Sequence, residues 1–340
     1  MIIGGVYILG LINARPVHAE KADFSNATLH DVEIHHSNFA NTKFENAQII
    51  PTKDKPFYFS SFESANFIKA TINNITFRAV NGLSSNFTGS TISNVNIVGQ
   101  ACFGQYTKFN HARFTNATIN KLSINGYAAP FCGGGLSTHF AQFNGAKLSD
   151  SYFGDLLGTT MNFYKASINT TFYKHAEIET SNFKEATINN SRFELSNISG
   201  SDFSDSNIAE NTVFENVAAK KTSFSRAILN NVKFHGHSRY GFEGTSFNSA
   251  TLVNTELNDL VLNGADFKNA NFDNVKITNS KLDNSDFKDA KFKTLVLRGS
   301  DLSGAKNLLD NAIHPDRHID LSGAKINGKT CAEGSINICD

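Results

Sequence analysis

The chain has 340 residues, enough for two ordinary domains or for one elongated domain. Its 31 Lys and Arg residues balance 31 Asp and Glu residues, so the surface lacks the strong field that would attract nucleic acid or an acidic substrate. Phe is far commoner than usual, with 30 residues, whereas Trp is absent. This bias indicates an architecture that requires Phe at a regular place.

The N-terminal segment 1–19 differs in character from everything that follows. An apolar run from Ile2 to Ile12 precedes Pro16 and the triplet Val17-His18-Ala19. A run of about eleven residues is too short to span a bilayer but suits the core of a signal peptide, and the triplet fits the small-x-small cleavage rule. We therefore predict a signal peptide over 1–19, no transmembrane span, and a periplasmic or secreted mature protein. No Lys or Arg precedes the apolar run, and the alternative is an apolar strand that caps the first coil.

Between residues 20 and 307 the dominant pattern is a period of five. In the stretch from 181 to 208, a large apolar residue occupies every fifth position, and a small residue lies two positions before it. These apolar residues are Phe183, Ile188, Phe193, Ile198, Phe203 and Ile208. A helix requires an apolar period of 3.6 and a half-buried strand a period of 2, so neither explains the pattern. With roughly fifty such pentads, the chain is a repeat protein.

A longer period, of four pentads, lies within the period of five. Phe247, Phe267 and Phe287 are each separated by four pentads, and the same spacing recurs at other apolar positions. If like residues stack, one coil holds four pentads and each pentad forms one side of a square. The central residue and the small residue two before it then point inward, as alternate residues of a strand do. The other three residues face water, which accounts for their polar character.

Many pentads match the motif small-(Asp/Asn)-(Leu/Phe)-polar-polar, among them Ala22-Asp23-Phe24, Ser201-Asp202-Phe203 and Ala265-Asp266-Phe267. In this respect the chain resembles the pentapeptide-repeat family over nearly all of residues 22–307. The resemblance implies an all-β fold, a right-handed quadrilateral parallel β-helix, here with about twelve coils. We predict this solenoid for residues 20–307, interrupted by insertions near 50–59, 98–106, 125–139 and 235–244.

These insertions carry aromatic residues that we place outside the inward register. Tyr127 and Phe131 lie in one insertion, and Tyr240 and Phe242 lie in another. Because loops on a rigid scaffold often carry function and aromatic side chains often anchor interfaces, these four residues are predicted to bind a protein partner. The alternative is that the insertions are tolerated bulges whose aromatic rings pack back on the coils.

The four cysteines agree with export to an oxidising compartment. Cys102 and Cys132 lie in irregular stretches, and Cys331 and Cys339 close the chain in a tail that resembles the C-terminal ends of exported bacterial members of the family. No pair has the CxxC spacing of a zinc or redox site, so disulfides 102–132 and 331–339 are the simplest of three connectivities. We predict a C-terminal cap over 308–340 that holds the second pair. The alternative is four buried free thiols in a cytosolic protein.

Other candidate chemistry is sparse. Gly133 to Gly135 lack the Lys and Ser or Thr of a phosphate-binding loop, and the histidine pairs at 235/237 and 314/318 lack further ligands in metal-site spacing. We therefore predict no catalytic residue, metal or cofactor, but a non-enzymatic exported scaffold for an unidentified protein partner rather than nucleic acid. Two alternatives stay open. A topoisomerase-binding DNA mimic, a role implied by the resemblance, needs a strongly negative face, and a β-helical polysaccharide-acting enzyme needs clustered carboxylates and bases on one face.

Overall fold

The computed structural model describes residues 16–30, 34–50, 55–58, 60–99, 107–126, 136–236, 241–308, 318–336 and 339. Throughout these ranges the chain is an all-β parallel β-helix of about 13 turns, with no helix in them. The predicted fold class is thereby confirmed. Contacts divide the chain into two compact units, Met1–Ile178 and Glu179–Asp340, here called unit 1 and unit 2. A search of the described residues for a helix able to cross a membrane finds none.

Short strands form both units. In the described residues of unit 1 they are β1 (Thr28–Leu29), β2 (Ile34–His35), β3 (Gln48–Ile49), β4 (Lys55–Tyr58), β5 (Thr71–Asn73), β6 (Ile75–Arg78), β7 (Thr91–Val98), β8 (Thr118–Asn125), β9 (Leu136–Ser137), β10 (Lys147–Ser149), β11 (Tyr152–Gly154), β12 (Leu156–Leu157), β13 (Ser167–Asn169) and β14 (Phe172–Lys174). In unit 2 they are β15 (Thr187–Asn189), β16 (Arg192–Glu194), β17 (Asn207–Ala209), β18 (Val213–Glu215), β19 (Ile228–Asn230), β20 (Lys233–His235), β21 (Thr251–Val253), β22 (Glu256–Asn258), β23 (Asn271–Asp273), β24 (Val275–Thr278), β25 (Lys291–Phe292), β26 (Thr294–Val296), β27 (His318–Asp320), β28 (Lys325–Ile326) and β29 (Lys329–Thr330).

Each pentad stacks on the corresponding pentad of the previous coil. In unit 2, Thr251 of β21 pairs with Asn271 of β23, so the register advances by four pentads, and these complete one coil. We call the four sides of each coil faces A, B, C and D. Their central residues in one coil of unit 2 are Phe267, Phe272, Ile277 and Leu282, and in one coil of unit 1 they are Phe67, Ile72, Phe77 and Gly82.

The four faces differ in their hydrogen-bonded ladders. Faces B and C are built from the strands, as in the parallel pairs β21–β23 on face B and β22–β24 on face C. Face A and most of face D are held by isolated bridges, such as Asp266 with Asp286 and Lys281 with Asp301. Each ladder continues into the next coil because parallel pairing repeats at the strand spacing of about 4.8 Å.

Face A carries a column of stacked phenylalanine rings in the core. In unit 2 the ring centroids of Phe247 and Phe267 are 5.1 Å apart, and those of Phe267 and Phe287 are 4.8 Å apart. In unit 1 Phe87 and Phe114 stack at 4.8 Å with their planes 2° apart. These separations are close to the strand spacing, so one planar ring can stack in each layer. The register therefore explains why Phe is so frequent.

The small residue of each pentad is buried beside the large one. Ala227 and Ala250, for example, are fully buried. Where Ser replaces Ala, its hydroxyl finds a local acceptor: Ser206 Oγ donates to the Phe203 carbonyl at 2.7 Å, and Ser90 Oγ donates to the Phe87 carbonyl at 2.7 Å. Because a buried hydroxyl without a partner is costly, this bond is the reason that Ser can alternate with Ala at the position.

The fifth residue of a pentad turns the corner in the left-handed conformation. Asp205 has φ 60° and Asn190 has φ 47°. At Asp205 the amide of Ser206 donates to the carbonyl of Phe203 at 3.3 Å, which is the pattern of a type II turn. Asn tolerates the left-handed region better than most residues other than Gly. This tolerance accounts for the many Asn residues at the corners.

One coil of unit 2 holds an extra residue. Arg192 of β16 pairs with Val213 of β18, a step that exceeds four pentads by one position. Glu210 and Asn211 both have positive φ, at 53° and 63°, so the corner there contains two left-handed residues. The corner absorbs the insertion, and the inward residues stay in register on both sides of it.

The ends of the described chain differ from the repeat. At the C-terminal end β27 pairs in parallel with β26, and β28 and β29 form an antiparallel hairpin. The sulfur atoms of Cys331 and Cys339 are bonded, with Cα atoms 4.9 Å apart, as the predicted pairing requires. This segment lies over the last coil, because Leu321 and Ala324 are buried and the Cys331 amide donates to the Ala324 carbonyl.

At the N-terminal end, Val17 to Ala19 form one side of the first described coil. The backbone amide of Asn38 donates to the backbone carbonyl of Val17 at 2.8 Å, and the backbone amide of Ala19 donates to the backbone carbonyl of Asn38 at 2.9 Å. Most of the predicted signal peptide, residues 1–15, lies outside the described residues. Cleavage after Ala19 would remove these hydrogen bonds from the first coil, and it stays a prediction.

Candidate functional site

Two of the predicted insertions of unit 1 are flanked by described residues that occupy the same corner of successive coils. Residues 100–106 follow β7 and residues 127–135 follow β8, and these two strands pair from Thr91 with Thr118 to Val98 with Asn125. Where the insertions begin, the Gly99 amide donates to the Asn125 carbonyl at 2.8 Å. Where they end, the Ser137 amide donates to the Thr107 carbonyl at 3.2 Å. The residues that flank one insertion are therefore stacked on those that flank the other.

Most of the predicted site residues lie outside the described residues. These are Tyr127, Phe131, Tyr240, Cys102 and Cys132. The predicted disulfide between Cys102 and Cys132 would join the two insertions. That pairing and the three aromatic contacts stay predictions.

The predicted role of Phe242 is wrong. Its side chain is 0% exposed, and its ring packs edge-on against Phe234 with the centroids 5.8 Å apart. The Phe242 amide donates to the Val261 carbonyl at 2.8 Å, so Phe242 is the central residue of a face-D pentad. The signal was present in the sequence, because Phe242 lies one pentad before Phe247 and thus shares its register.

An exposed aromatic residue that the sequence analysis missed lies in the pentad that follows the second insertion. Phe140 is 45% exposed and stacks on His111 with ring centroids 4.9 Å apart. It lies shortly after β9, and Leu157 on face D of the next coil is 46% exposed. Phe140 also has φ 59°, which is unusual for a bulky side chain. Its position as a corner residue could have been found by counting along the pentad whose centre is Thr138.

The charged groups of the described residues do not converge on a reaction centre. No group of three or more His, Cys, Asp or Glu side chains suited to a metal occurs among them. A hydrogen bond from the Arg226 guanidinium holds the pKa of Asp205 below its ordinary value, and this pair lies on the surface. Burial raises the pKa of the Tyr173 phenol well above its ordinary value, so this buried tyrosine stays un-ionised. One shift therefore arises from a surface ion pair and the other from burial in the core.

Comparisons with known proteins address the fold. QnrB1, a plasmid-mediated fluoroquinolone resistance protein, is 14% identical, and the match covers 62% of this chain and 93% of QnrB1 with a TM-score of 0.26. HetL, a pentapeptide-repeat protein from the cyanobacterium Nostoc, is 12% identical over 80% of this chain and 90% of HetL, with a TM-score of 0.20. The periplasmic alginate epimerase AlgG is 10% identical over 80% of this chain and 77% of AlgG, with a TM-score of 0.28. No curated protein sequence matches significantly.

The sequence family is more specific than these structural likenesses. The model for pentapeptide repeats matches eight copies, over residues 17–46, 242–279 and 270–306. The matched pentads are those whose central residues point inward and whose fifth residues turn the corners, as at Phe267 and Asn269. The matched residues, 17–46 and 242–306, are repeats of the pentapeptide-repeat family.

Proposed function

We propose that the protein is a non-enzymatic, exported scaffold that binds a protein partner through the insertions of its β-helix. The observation that supports this proposal is that the described residues flanking 100–106 stack on those flanking 127–135, and that the exposed Phe140 lies in the pentad that follows. Irregular loops held by a rigid framework are where binding function usually lies. An exposed aromatic ring is the kind of residue that anchors a protein interface.

The charges on the outer surface support a neutral scaffold over a DNA mimic. In unit 2 acidic side chains are paired with basic ones from neighbouring coils, as in Lys276 with Glu256 and Lys293 with Asp273. A DNA mimic would instead present an unpaired row of carboxylates, like the phosphates that it replaces. The balanced formal charge of the whole chain, +0, agrees with this reading.

The proposal is tested by removing the two stacked insertions together. Deleting residues 100–106 and 127–135 restores pentad spacing from Ile97 to Phe109 and from Ile124 to Thr138, and it leaves neither Cys102 nor Cys132 unpaired. The loop-less protein should fold and unfold at nearly the same temperature as the parent. Quantitative mass spectrometry of proteins crosslinked in an envelope fraction should show loss of the partners that the parent captures. Capture of the same partners by the loop-less protein would contradict the proposal.

A point substitution tests the contribution of the Phe140 ring independently of the two insertions. Phe140→Ser removes the exposed aromatic side chain while leaving the core intact, and it should weaken partner capture with little change in stability. The matched control is Ile228→Ser in unit 2, where the side chain is 50% exposed. Equal capture by the parent and both variants would show that Phe140 is not part of the binding surface.

Export needs its own measurement. Expression of the chain in a Gram-negative host should give a periplasmic species whose intact mass corresponds to cleavage after Ala19. A cytoplasmic species that keeps Met1 to Ala19 would contradict export but leave the scaffold role intact.

A further inference from the structure

Face C of unit 1 presents two aromatic side chains to solvent on adjacent strands. In β11 and β14, Phe153 pairs with Tyr173, and both side chains are fully buried with their rings stacked at 4.9 Å. Because side chains alternate along a strand, the preceding residues, Tyr152 and Phe172, point outward. These two residues are also direct register partners. The pair is a surface feature that core packing does not require.

The two outward rings form a shelf with a side wall. A Cβ atom built on Gly154 would lie 2.4 Å from Cε1 and 2.4 Å from Oη of Tyr152, so the tyrosine ring occupies the space above this glycine and lies along the strand. The ring of Phe172 stands at 69° to it, with centroids 5.6 Å apart. The strand continues from Gly154 to Asp155 at the corner, so the ring and the corner belong to one continuous surface.

An acid–histidine pair closes the end of this shelf. Asp155 and His175 are corner residues with φ 46° and 49°. His175 Nδ1 lies 3.2 Å from Asp155 Oδ1, and the side chains of His175 and Asp155 are 47% and 40% exposed. The pair therefore offers hydrogen-bonding atoms to solvent as well as to itself. Asp155 is three residues beyond Tyr152, a distance of about 10 Å along a strand.

We propose that Tyr152, Phe172, Asp155 and His175, here called the face-C shelf, bind a sugar ring of a neutral glycan. A pyranose has one face rich in C–H bonds, which packs on an aromatic ring, and a rim of hydroxyl groups that both donate and accept hydrogen bonds. The shelf offers a flat ring, a steeply inclined ring at its side, and a carboxylate and imidazole that supply acceptor and donor atoms. This combination of apolar area with a few placed polar groups is typical of ligand sites.

The charge of the surroundings selects a neutral ligand over a charged one. Lys174 is an outward residue of β14 that pairs with Gly154, and the Asp155 backbone amide donates to the Lys174 carbonyl at 2.9 Å, so the shelf carries one acidic and one basic residue. One carboxylate and one ammonium cancel, so neither a phosphate nor a uronate gains from the local field. The footprint, about 10 Å by 5 Å, spans three residues along one strand and two neighbouring strands. It fits one or two sugar units and is too small for a stable protein interface of about 800 Å² per partner.

A proline-rich peptide is the competing ligand for paired aromatic rings. Such a segment binds aromatic-lined grooves in its extended helix, but proline lacks a backbone N–H. A proline-rich ligand would therefore give Asp155 few donors and would leave its carboxylate unused. Sugar hydroxyls use both members of the acid–histidine pair, and this difference favours the glycan.

The test uses the full chain and soluble hexasaccharides of β-1,4-linked glucose and of β-1,4-linked N-acetylglucosamine as probes. The chain has no Trp, so tyrosine fluorescence, together with calorimetry, follows binding. At least one probe should bind, and Tyr152→Ala should weaken that binding by about tenfold or more. Gly154→Ala should weaken it similarly, because the added methyl group displaces the Tyr152 ring without removing it. His175→Ala should weaken it less.

Tyr164→Ala is the matched control, since Tyr164 is another outward tyrosine of unit 1, with Lys165 over its ring at 5.0 Å. It should bind the probe as tightly as the parent, and the thermal midpoint checks that every variant is folded. The proposal is overturned if neither hexasaccharide binds, if Tyr164→Ala weakens binding as much as Tyr152→Ala does, or if a proline-rich peptide competes with the sugar at the shelf. None of these outcomes depends on the inserted loops, so the scaffold proposal is tested separately.

Discussion

Unit 1 and unit 2 share one type of core but stabilise their outer surfaces differently. In unit 2, charged side chains one coil apart form ion pairs, such as Arg226 with Asp205 at 2.7 Å and Arg298 with Asp320 at 2.9 Å. In unit 1, neutral amides often bond across the coils instead: Asn162 Nδ2 donates to Gln142 Oε1 at 3.0 Å. Unit 1 also holds a contact between His175 Nδ1 and Asp155 Oδ1 at 3.2 Å.

This difference shows that the repeat constrains the inside of each coil and leaves the outside to vary. Exposed ion pairs contribute little to stability, because solvent screens them and ordering two long side chains is costly. Stacked Phe residues are fully buried in both units, as at Phe143 and Phe267. The two units should therefore respond alike to core substitutions and differently to acid and salt.

The largest expected effect is the loss of a core ring. Phe143→Ala in unit 1 and Phe267→Ala in unit 2 should each reduce the free energy of unfolding by about 3–5 kcal/mol, since each leaves a cavity in a stacked column. Denaturant titration measures the change. Asp266→Ala, next to Phe267 but on the outer surface, should cost less than about 1 kcal/mol. A small loss at either phenylalanine would show that the two cores are not equivalent.

A smaller effect is expected when the small inward residue is enlarged. Ala146→Leu in unit 1 and Ala250→Leu in unit 2 should destabilise by about 1–3 kcal/mol, because both alanines are fully buried beside a ring. Ala209→Leu is the control, since Ala209 is an outward residue of β17. If the control loses as much stability as the two inward variants, the assignment of inward and outward positions is wrong.

Acid should weaken unit 2 more than unit 1. Hydrogen bonding by Lys276 holds the pKa of Glu256 below its ordinary value, against the opposing effect of burial. Lowered pKa values are also found in unit 2 at Asp205, Asp286, Asp301 and Asp320, and in unit 1 at Asp23. A carboxyl group whose pKa is lowered in the folded state stabilises the fold above its unfolded pKa, and this contribution is lost as the pH falls through the folded value.

Glu256→Gln tests this expectation. The variant should lose part of the stability of the parent at neutral pH, and the difference should shrink as the pH falls below about 4. Thermal unfolding from pH 7 to pH 3 measures it. Glu177→Gln, an exposed position of unit 1, is the control and should follow the parent curve. If the difference in thermal midpoint between Glu256→Gln and the parent stayed constant across this pH range, the carboxyl group of Glu256 would not be the source of the pH dependence.

The smallest effect concerns single contacts across the coils. A double-mutant cycle on Lys276 and Glu256, whose Nζ and Oε1 atoms are 3.1 Å apart, should give about 0.2–1 kcal/mol at low salt. The coupling should decrease in 1 M salt, where the Debye length is about 3 Å. The neutral pair of Asn162 and Gln142 in unit 1 should keep its coupling in the same salt. If salt reduced the coupling energies of the two pairs equally, the proposed difference between ion pairs in unit 2 and neutral amide contacts in unit 1 would be wrong.

The fold could be predicted from the sequence because inward positions obey a strict rule. A residue such as Ile188 has to fit the same cross-section as Ile208 one coil later, so both the pentad and the four-pentad coil are visible without a structure. Phe242 obeys the same rule, and the error there came from treating the whole insertion as irregular. The candidate site was harder to predict from the sequence, because Phe140 and Tyr152 occupy outward positions that the five-residue period does not constrain.

The sequence by itself determined which side chains form the core and how many pentads complete a coil. The tertiary structure decided which outward residues meet, because partners across coils depend on the length of each coil. The register step is four pentads between Thr251 and Asn271 but longer between Thr118 and Lys147, where an insertion intervenes. This stacking decides which outward residues are neighbours, as with Asp155 and His175. The packed interior tolerates few side chains, whereas solvent-facing positions tolerate almost any polar residue, so the sequence pattern does not reveal these outward pairs.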